Sequence, residues 1–463
     1  MTKEALKIAV CAAIDKNRDK IIEIAEHILA NPELGYKEKS TAKYVAEQFE
    51  SLGIPCRTGL ALTGVKGKMQ GAKSLANVCV IGELDAVICN THPTANKESG
   101  AAHACGHNAQ LAAMLGVAMG LKDYASELDG DVTFFAVPAE EFVEIGYRDS
   151  LAKDGKIKYL GGKQELIRLG EFDDIDAAMM VHAQGNTPGN EVFVDGGSLG
   201  FVAKTVEFIG KAAHAGGAPH EGINALNAAM AAMMCIHAQR ETFRDEDKIR
   251  VHPIITNGGE LVNVVPANVT METYVRGASF EAIRDAAAKV DRAIKGSAYA
   301  IGAEAEITDF KGYLPLCQDK ALGAVFAENA AQFTPKENIH YGIDMVGSTD
   351  MGDLSTIMPV VHPYAGGADG KSHGSDYQVV DPENACVNSA KWQVAMLKIL
   401  LGNGAERAKK IIAEFTPMFP TAKAFLDYQD SINTSGDRIT YNADGSAVIV
   451  GGVVASAAGE EKV

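Results

Sequence analysis

Basic residues are scarce relative to acidic ones in this 463-residue chain: 43 Lys and Arg face 60 Asp and Glu, a formal net charge of −17. No basic cluster offsets the excess, so the chain repels nucleic acid and anionic lipid, and small molecules are the expected partners. Long hydrophobic runs are lacking as well. The apolar stretches Ala109 to Leu121 and Ala225 to Ala238 are too short to span a bilayer. Ile8 to Ile14 barely reaches the length of a signal-peptide core, and it leads into the charged run Asp15 to Lys20 instead of a small-residue cleavage site. The eight cysteines lack the spacing of a disulfide framework, which suits a reducing compartment. There is no internal repeat and no low-complexity tract. The expectation is a soluble, cytoplasmic protein with neither a nucleic-acid nor a membrane partner.

What is present is material for a large core, 47% hydrophobic and 22% charged residues, in a chain long enough for two domains. Up to about Val194, strand-like and helix-like segments alternate, with helical periodicity from Ile8 to Leu29, Ser40 to Leu52 and Asn108 to Leu121. Alternation of this kind implies an α/β fold: a mixed, mainly parallel sheet with helices on both faces. Tyr147 to Asp176, rich in Gly and Lys, looks like an elaborated loop or short helices. From Phe201 the order changes to strand Thr205 to Ile209, helix Gly222 to Arg240, strands Ile249 to Thr256 and Val269 to Val275, helix Phe280 to Gly302 and strand Ala305 to Phe310. That βαββαβ order is ferredoxin-like and self-contained, so residues 199–312 are expected to form a domain inserted between residues 1–198 and 313–402. The first domain resumes with helix Ala321 to Phe333 and ends with helix Ser389 to Leu400. Residues 403–463 form an extension, with a helix around Ala405 to Phe415 and either one strand or a loose tail at Ala447 to Val454.

Chemistry concentrates at strand ends. Asp85 follows one strand, Glu140 and Glu141 follow the apolar run Asp131 to Val137 through Pro138-Ala139, and His182 follows Ala177 to Val181. Cys105 and His107 flank a single glycine, so a tight loop can turn a thiol and an imidazole toward one point, and both suit a borderline-soft divalent metal. Ligands of open α/β sheets bind beyond the carboxyl ends of the strands, which gathers Asp85, Cys105, His107, Glu140, Glu141 and His182 into one crevice.

The ordered set Gly82-Glu83-Leu84-Asp85, His103 to His107, Pro138 to Glu141, His182, Gly210 to Ala215, Gly258 to Pro266 and Ser372-His373 resembles the aminoacylase and carboxypeptidase G type of metallopeptidase. Within that type it resembles the amidohydrolase branch of hippurate, p-aminobenzoyl-glutamate and auxin-conjugate hydrolases and β-alanyl-lysine dipeptidase, over roughly residues 20 to 400. The resemblance implies two divalent metals held by Cys105, His107, Glu141, His182 and a late histidine. It implies Glu140 as general base, a homodimer through the inserted lid domain in which His214 is lent to the partner's site, and substrate contacts from Asn263 and Arg276. For the late ligand, His373 matches the family better than His362. The family usually has Asp where Asn108 stands, so support of the metals from behind is expected from Asp85. Asp350 either is structural or orients the late loop. Arg276 either pairs with an acidic neighbour or suits the carboxylate of an amino-acid leaving group.

The implied reaction is hydrolysis of an N-acyl or aminoacyl amide. A thiolate favours zinc, and carboxylates and imidazoles also accept manganese, so Zn and Mn both stay open. Two other readings fit the residues: a metal-dependent deaminase of a small aromatic amine, and a silent, metal-stabilised binding protein.

Overall fold

A computed structural model describes residues 3–432 and 435–450 of the chain. It forms two compact units: the described residues up to Gly197 with Leu316–Ala422, and Ser198–Pro315 with the described residues from Lys423 onward.

The first unit is built on a six-stranded sheet in the order Cys56–Leu60, Gly64–Met69, Asp131–Val137, Asn77–Glu83, Ala177–Met179, Val360–Val361. The last four strands run parallel and the first two are antiparallel additions, which gives the mixed, mainly parallel sheet implied by the alternation. The central strands Asn77–Glu83 and Asp131–Val137 are buried along their whole length, as parallel strands covered on both faces must be. Helix His107–Leu121 packs on the sheet, and all its residues are buried. Its sequence carries apolar residues all round, as a helix enclosed on every side does. Helices Lys3–Lys16, Arg18–Leu29 and Ser389–Leu401 enclose it. Phe134 and Phe135 point to opposite faces. Phe134 meets Phe49 of helix Lys39–Ser51, whereas Phe135 meets Phe172 at 5.2 Å between ring centroids. Phe172 belongs to the 147–176 stretch, where the structure has the short helices Ile145–Lys153 and Gly162–Arg168.

The helical period from Ile8 to Leu29 is not one helix: the chain leaves helical geometry at Asn17, whose side-chain amide donates to the Ala13 carbonyl at 2.8 Å. A short polar side chain that bonds the local backbone competes with the helix ladder.

The second unit has an antiparallel sheet in the order Arg250–Val251, Asn268–Gly277, Gly200–Ile209, Glu304–Lys311, Ser435–Tyr441, Ala447–Val450, with helices Ala225–Ala238 and Phe280–Ile301 packed on it. Its first four strands have the ferredoxin-like order. The strand expected at Ile249 to Thr256 comes in two pieces, Arg250–Val251 and Ile254–Asn257, because Pro253 between them has no N–H for the ladder. The residues after 402 are shared between the units. Helix Glu406–Glu414 packs on helix Ser389–Leu401, and the hairpin Ser435–Tyr441/Ala447–Val450 pairs onto Glu304–Lys311. Of the strand expected at Ala447 to Val454, residues 451–454 lie outside the described residues. Among the described residues no helix is long and apolar enough to cross a membrane.

Lys204 sits fully buried in the second unit, with its ammonium 2.8 Å from Asp291 and 2.7 Å from Asp309. Removing one partner of a buried ion pair strands the other, at a cost of about 3–5 kcal/mol. Lys204→Met should therefore lower the unfolding free energy of the second unit by that amount, read as a lower urea midpoint with an unchanged slope. An unchanged midpoint would remove the triad from the unit's stability.

Candidate active site and metal centre

The turn after Ala104 presents Cys105 and His107 at the N-terminus of helix His107–Leu121, with Gly106 between them at φ 94°. A Cβ at Gly106 would lie 2.3 Å from the Tyr377 hydroxyl, so both backbone conformation and space require glycine. Tyr377 in turn donates to the Cys105 carbonyl at 3.3 Å. The amide of His373 donates to the Ala104 carbonyl at 2.7 Å, which ties the late loop to the Cys-Gly-His turn.

Nδ1 of His107 lies 2.8 Å from the Asp85 carbonyl, and Nδ1 of His182 lies 2.8 Å from the Ala183 carbonyl. A carbonyl only accepts, so both rings carry a proton on Nδ1 and turn Nε2 inward. Cys105 Sγ is 3.4 Å from His182 Nε2. Donor atoms of Cys105, His107 and His182 lie within 4.8 Å of one another, and so do those of Cys105, Glu141 and His373. Cys105 belongs to both sets. A third set, Glu83, His107 and Glu140, adjoins them.

Several of these atoms are orphans. His107 Nε2, Glu141 Oε1 and Asp85 Oδ1 are buried without a hydrogen-bond partner. Glu141 Oε1 stands 3.0 Å from His373 Nε2, and His107 Nε2 stands 3.1 Å from Glu83 Oε2, in each case outside hydrogen-bond geometry. Donors that face each other side-on at such distances are arranged as ligands of a shared cation are, and thiolate, imidazole and carboxylate suit a divalent transition metal. Burial and the Glu141 charge oppose ionisation of the Cys105 thiol, but the imidazoles of His182 and His107 outweigh them and bring its pKa down to about 6. Burial, with the charges of Glu83, Glu141 and Asp350, pushes the Glu140 carboxyl well above the usual carboxylate range.

Asp85 supports the cluster from behind: beyond its carbonyl contact to His107, its Oδ2 accepts from the Glu141 amide at 2.9 Å. Asn108 turns away and donates to the Ala25 carbonyl at 3.2 Å. Of the two late histidines, His373 joins a donor set. His362 is buried against Tyr364, ring centroids 4.9 Å apart, with its ring 6.0 Å from that of His182. Behind the cluster, Lys163 is fully buried with its ammonium 2.5 Å from Glu83 Oε1 and also on Asp350 Oδ1, whose second oxygen accepts the Lys163 amide at 3.0 Å. In the sequence, Glu83 has no role beyond its place in the Gly82 to Asp85 motif, and Lys163 has none at all. The position of Glu83, at the end of the strand that Asp85 follows, was a usable signal, whereas a single lysine in a Gly- and Lys-rich stretch gave none.

His214, Asn263 and Arg276 lie in the second unit. A bridge between His214 and Val264 and the bond from the Ala215 amide to the Asn263 carbonyl at 2.9 Å bring the first two loops together. Arg276 is near the opposite end of strand Asn268–Gly277, roughly 26 Å along it at about 3.3 Å per residue, with its guanidinium 5.3 Å from the Phe201 ring centre and 5.4 Å from that of Tyr274.

Residues 79–398 match the family model described as peptidase family M20/M25/M40. Among curated proteins, the chain is 28% identical to a Xaa-Arg dipeptidase of Mus musculus over 398 residues, 81% of this chain and 83% of that one. It is 26% identical to an N-acyl-L-amino acid amidohydrolase of Geobacillus stearothermophilus over 68% of this chain and 81% of that one. Among solved structures, a putative aminohydrolase from methicillin-resistant Staphylococcus aureus superposes with a TM-score of 0.69 at 21% identity, covering 85% of this chain and 100% of that one. A Bacillus subtilis protein described as a dinuclear metal-binding peptidase of the M20 family gives 0.63 at 22% identity, covering 84% and 99%. With the model matching well over half of its length, the chain belongs to peptidase family M20/M25/M40 and is a hydrolase of C–N amide bonds.

Proposed function

We propose that this hydrolase is a binuclear metal enzyme that cleaves the amide of an N-acyl or aminoacyl amino acid and releases the amino acid. One observation carries the proposal: Cys105 belongs to two donor sets at once, His107 with His182 and Glu141 with His373, and Glu140 joins His107 and Glu83 in a third. Two divalent ions, zinc or manganese, would supply Lewis-acid polarisation of the amide carbonyl and lower the pKa of water toward ~7. Glu140 takes the proton of the attacking water and hands it to the leaving amine, which departs neutral. Nδ1 of His214 accepts the amides of Gly216 and Gly217 at 3.1 and 2.9 Å, so its proton sits on Nε2 of an exposed ring, ready to donate to the tetrahedral oxyanion. Asn263, exposed on the adjoining loop, is assigned to the substrate beside it. All eight cysteines are free, in keeping with a reducing cytoplasm that leaves Cys105 available as a thiolate.

The partner that receives His214 is a second copy of the chain. Met230 and Met234 on helix Ala225–Ala238, Ile254 on the edge strand, and Leu261 and Val262 beside Asn263 are exposed apolar residues of the second unit, and a two-fold dimer would cover such a surface.

Glu140→Gln keeps size and loses the base, so turnover should fall by on the order of 10²–10⁴ with folding and metal content intact. Near-normal turnover would exclude Glu140 as the base. A panel of N-acyl amino acids and dipeptides, with products weighed by mass, should yield amino acid; ammonia instead would mean deamination. Cys105→Ser replaces a soft anion shared by both donor sets with a neutral hydroxyl, so elemental analysis after dialysis should show both ions depleted. Full retention would contradict a shared thiolate.

For the dimer, Glu140→Gln and His214→Ala chains coexpressed in equal amounts should recover about a quarter of wild-type activity, because half the dimers are mixed and half their sites intact. Activity at the level of the parents, with subunit exchange confirmed, would place His214 outside its partner's site.

A further inference from the structure

The turn Pro138 to Glu141 delivers both the proposed base and a proposed ligand, and it is strained. Ala139 has φ 54°, in the left-handed region that residues other than glycine adopt only under constraint. Its amide donates to Glu38 at 2.8 Å, and its carbonyl accepts the Gly162 amide at 3.1 Å. One further side chain reaches both carbonyls that flank Glu140. Arg148 donates from Nη1 to the Ala139 carbonyl at 3.4 Å and from Nη2 to the Glu141 carbonyl, and Nη1 also donates to the Leu160 carbonyl at 2.8 Å.

Arg148 is completely buried, between the rings of Tyr36 and Phe142, and its guanidinium hydrogen bonds end on backbone carbonyls. Space has been cleared for it: a Cβ at Gly35 would stand 2.3 Å from Nη2. Burying a guanidinium away from any carboxylate is costly, and an apolar side chain would fill the volume at less expense. What only the guanidinium offers is a rigid fork of charged donors that can hold two carbonyls at a fixed separation. Those carbonyls bracket Glu140.

We propose that Arg148 is a positioning residue for the reaction: through the backbone of residues 139–141 it aims Glu140 and Glu141 without touching either carboxylate. This gives the 147–176 stretch a task at the site, since its helix Ile145–Lys153 carries Arg148. The inference rests on the proposed roles of Glu140 and Glu141.

The test uses the full-length, metal-loaded chain and two variants, Arg148→Met and Arg148→Lys, at a temperature where circular dichroism shows both folded. Loss of a group that orients ligands from behind costs about 10–100-fold in metal affinity or activity. Arg148→Met should lower kcat by about 100-fold with KM within a few-fold. Zinc titration should show one of two ions weakened at least about tenfold, the one that needs Glu141. Arg148→Lys, which keeps charge and loses the fork, should fall between Arg148→Met and wild type. Wild-type kcat and two tight ions in a folded Arg148→Met would overturn the proposal, as would aggregation of both variants, which would assign Arg148 to fold stability alone. Glu140→Gln serves as the control: if it is inactive while the Arg148 variants are normal, the positioning role fails and the proposed base stands. If Glu140→Gln stays active, the failure belongs to the proposed base.

Discussion

Four buried carboxyl groups, Glu83, Asp85, Glu140 and Glu141, crowd the carboxyl ends of buried parallel strands beside the half-buried Cys105 thiol, where burial opposes ionisation. Anions gathered in a medium of low dielectric repel one another and lose hydration, so such a cluster persists only beside cations placed with matching care. Lys163, on Glu83 and Asp350, is a fixed cation on the cluster. The proposed pair of divalent ions supplies the rest. Two of the cluster's ligand-type atoms, His107 Nε2 and Glu141 Oε1, are buried there without a hydrogen bond.

Rigidity around the cluster follows from that need. Metal ligands and a base must keep their spacing whether or not cations are bound, and the chain fixes them through backbone atoms. Carbonyls of Asp85 and Ala183 set the imidazoles, the Asp85 carboxylate holds the Glu141 amide, and Arg148 holds the carbonyls of Ala139 and Glu141. The strained conformations of Ala139 and His373, φ 54° and 64°, each cost about 1–3 kcal/mol and occur beside proposed ligating or basic groups, where the surrounding bonds over-determine the chain.

Much of this was legible in the sequence. Helix His107–Leu121 and the elements of the inserted βαββαβ unit differ from expectation mostly by a residue or a few at their ends, because their apolar periodicity is strong. The convergence of Asp85, Cys105, His107, Glu140, Glu141 and His182 followed from the rule that strand ends share a crevice. Three features were not legible. The break at Asn17 interrupts an apolar period that continues on both sides, and only the local bond of the Asn17 amide makes it. Lys163 and Arg148 were hidden because a lone cation in a polar stretch looks solvated until its acceptors are known, and Asp350 lies 187 residues away in the chain. The hairpin Ser435–Tyr441/Ala447–Val450 was unreadable because its register comes from a strand far back in the sequence.

The central claim is that the Cys105 sulfur is shared by two ions. Anomalous diffraction from crystals of zinc-loaded protein, collected on both sides of the zinc edge, tests it most directly. The account predicts two zinc peaks per chain, each about 2.3 Å from Cys105 Sγ, one toward His107 and His182 and the other toward Glu141 and His373. A single peak, or two peaks of which only one contacts the sulfur, would contradict it.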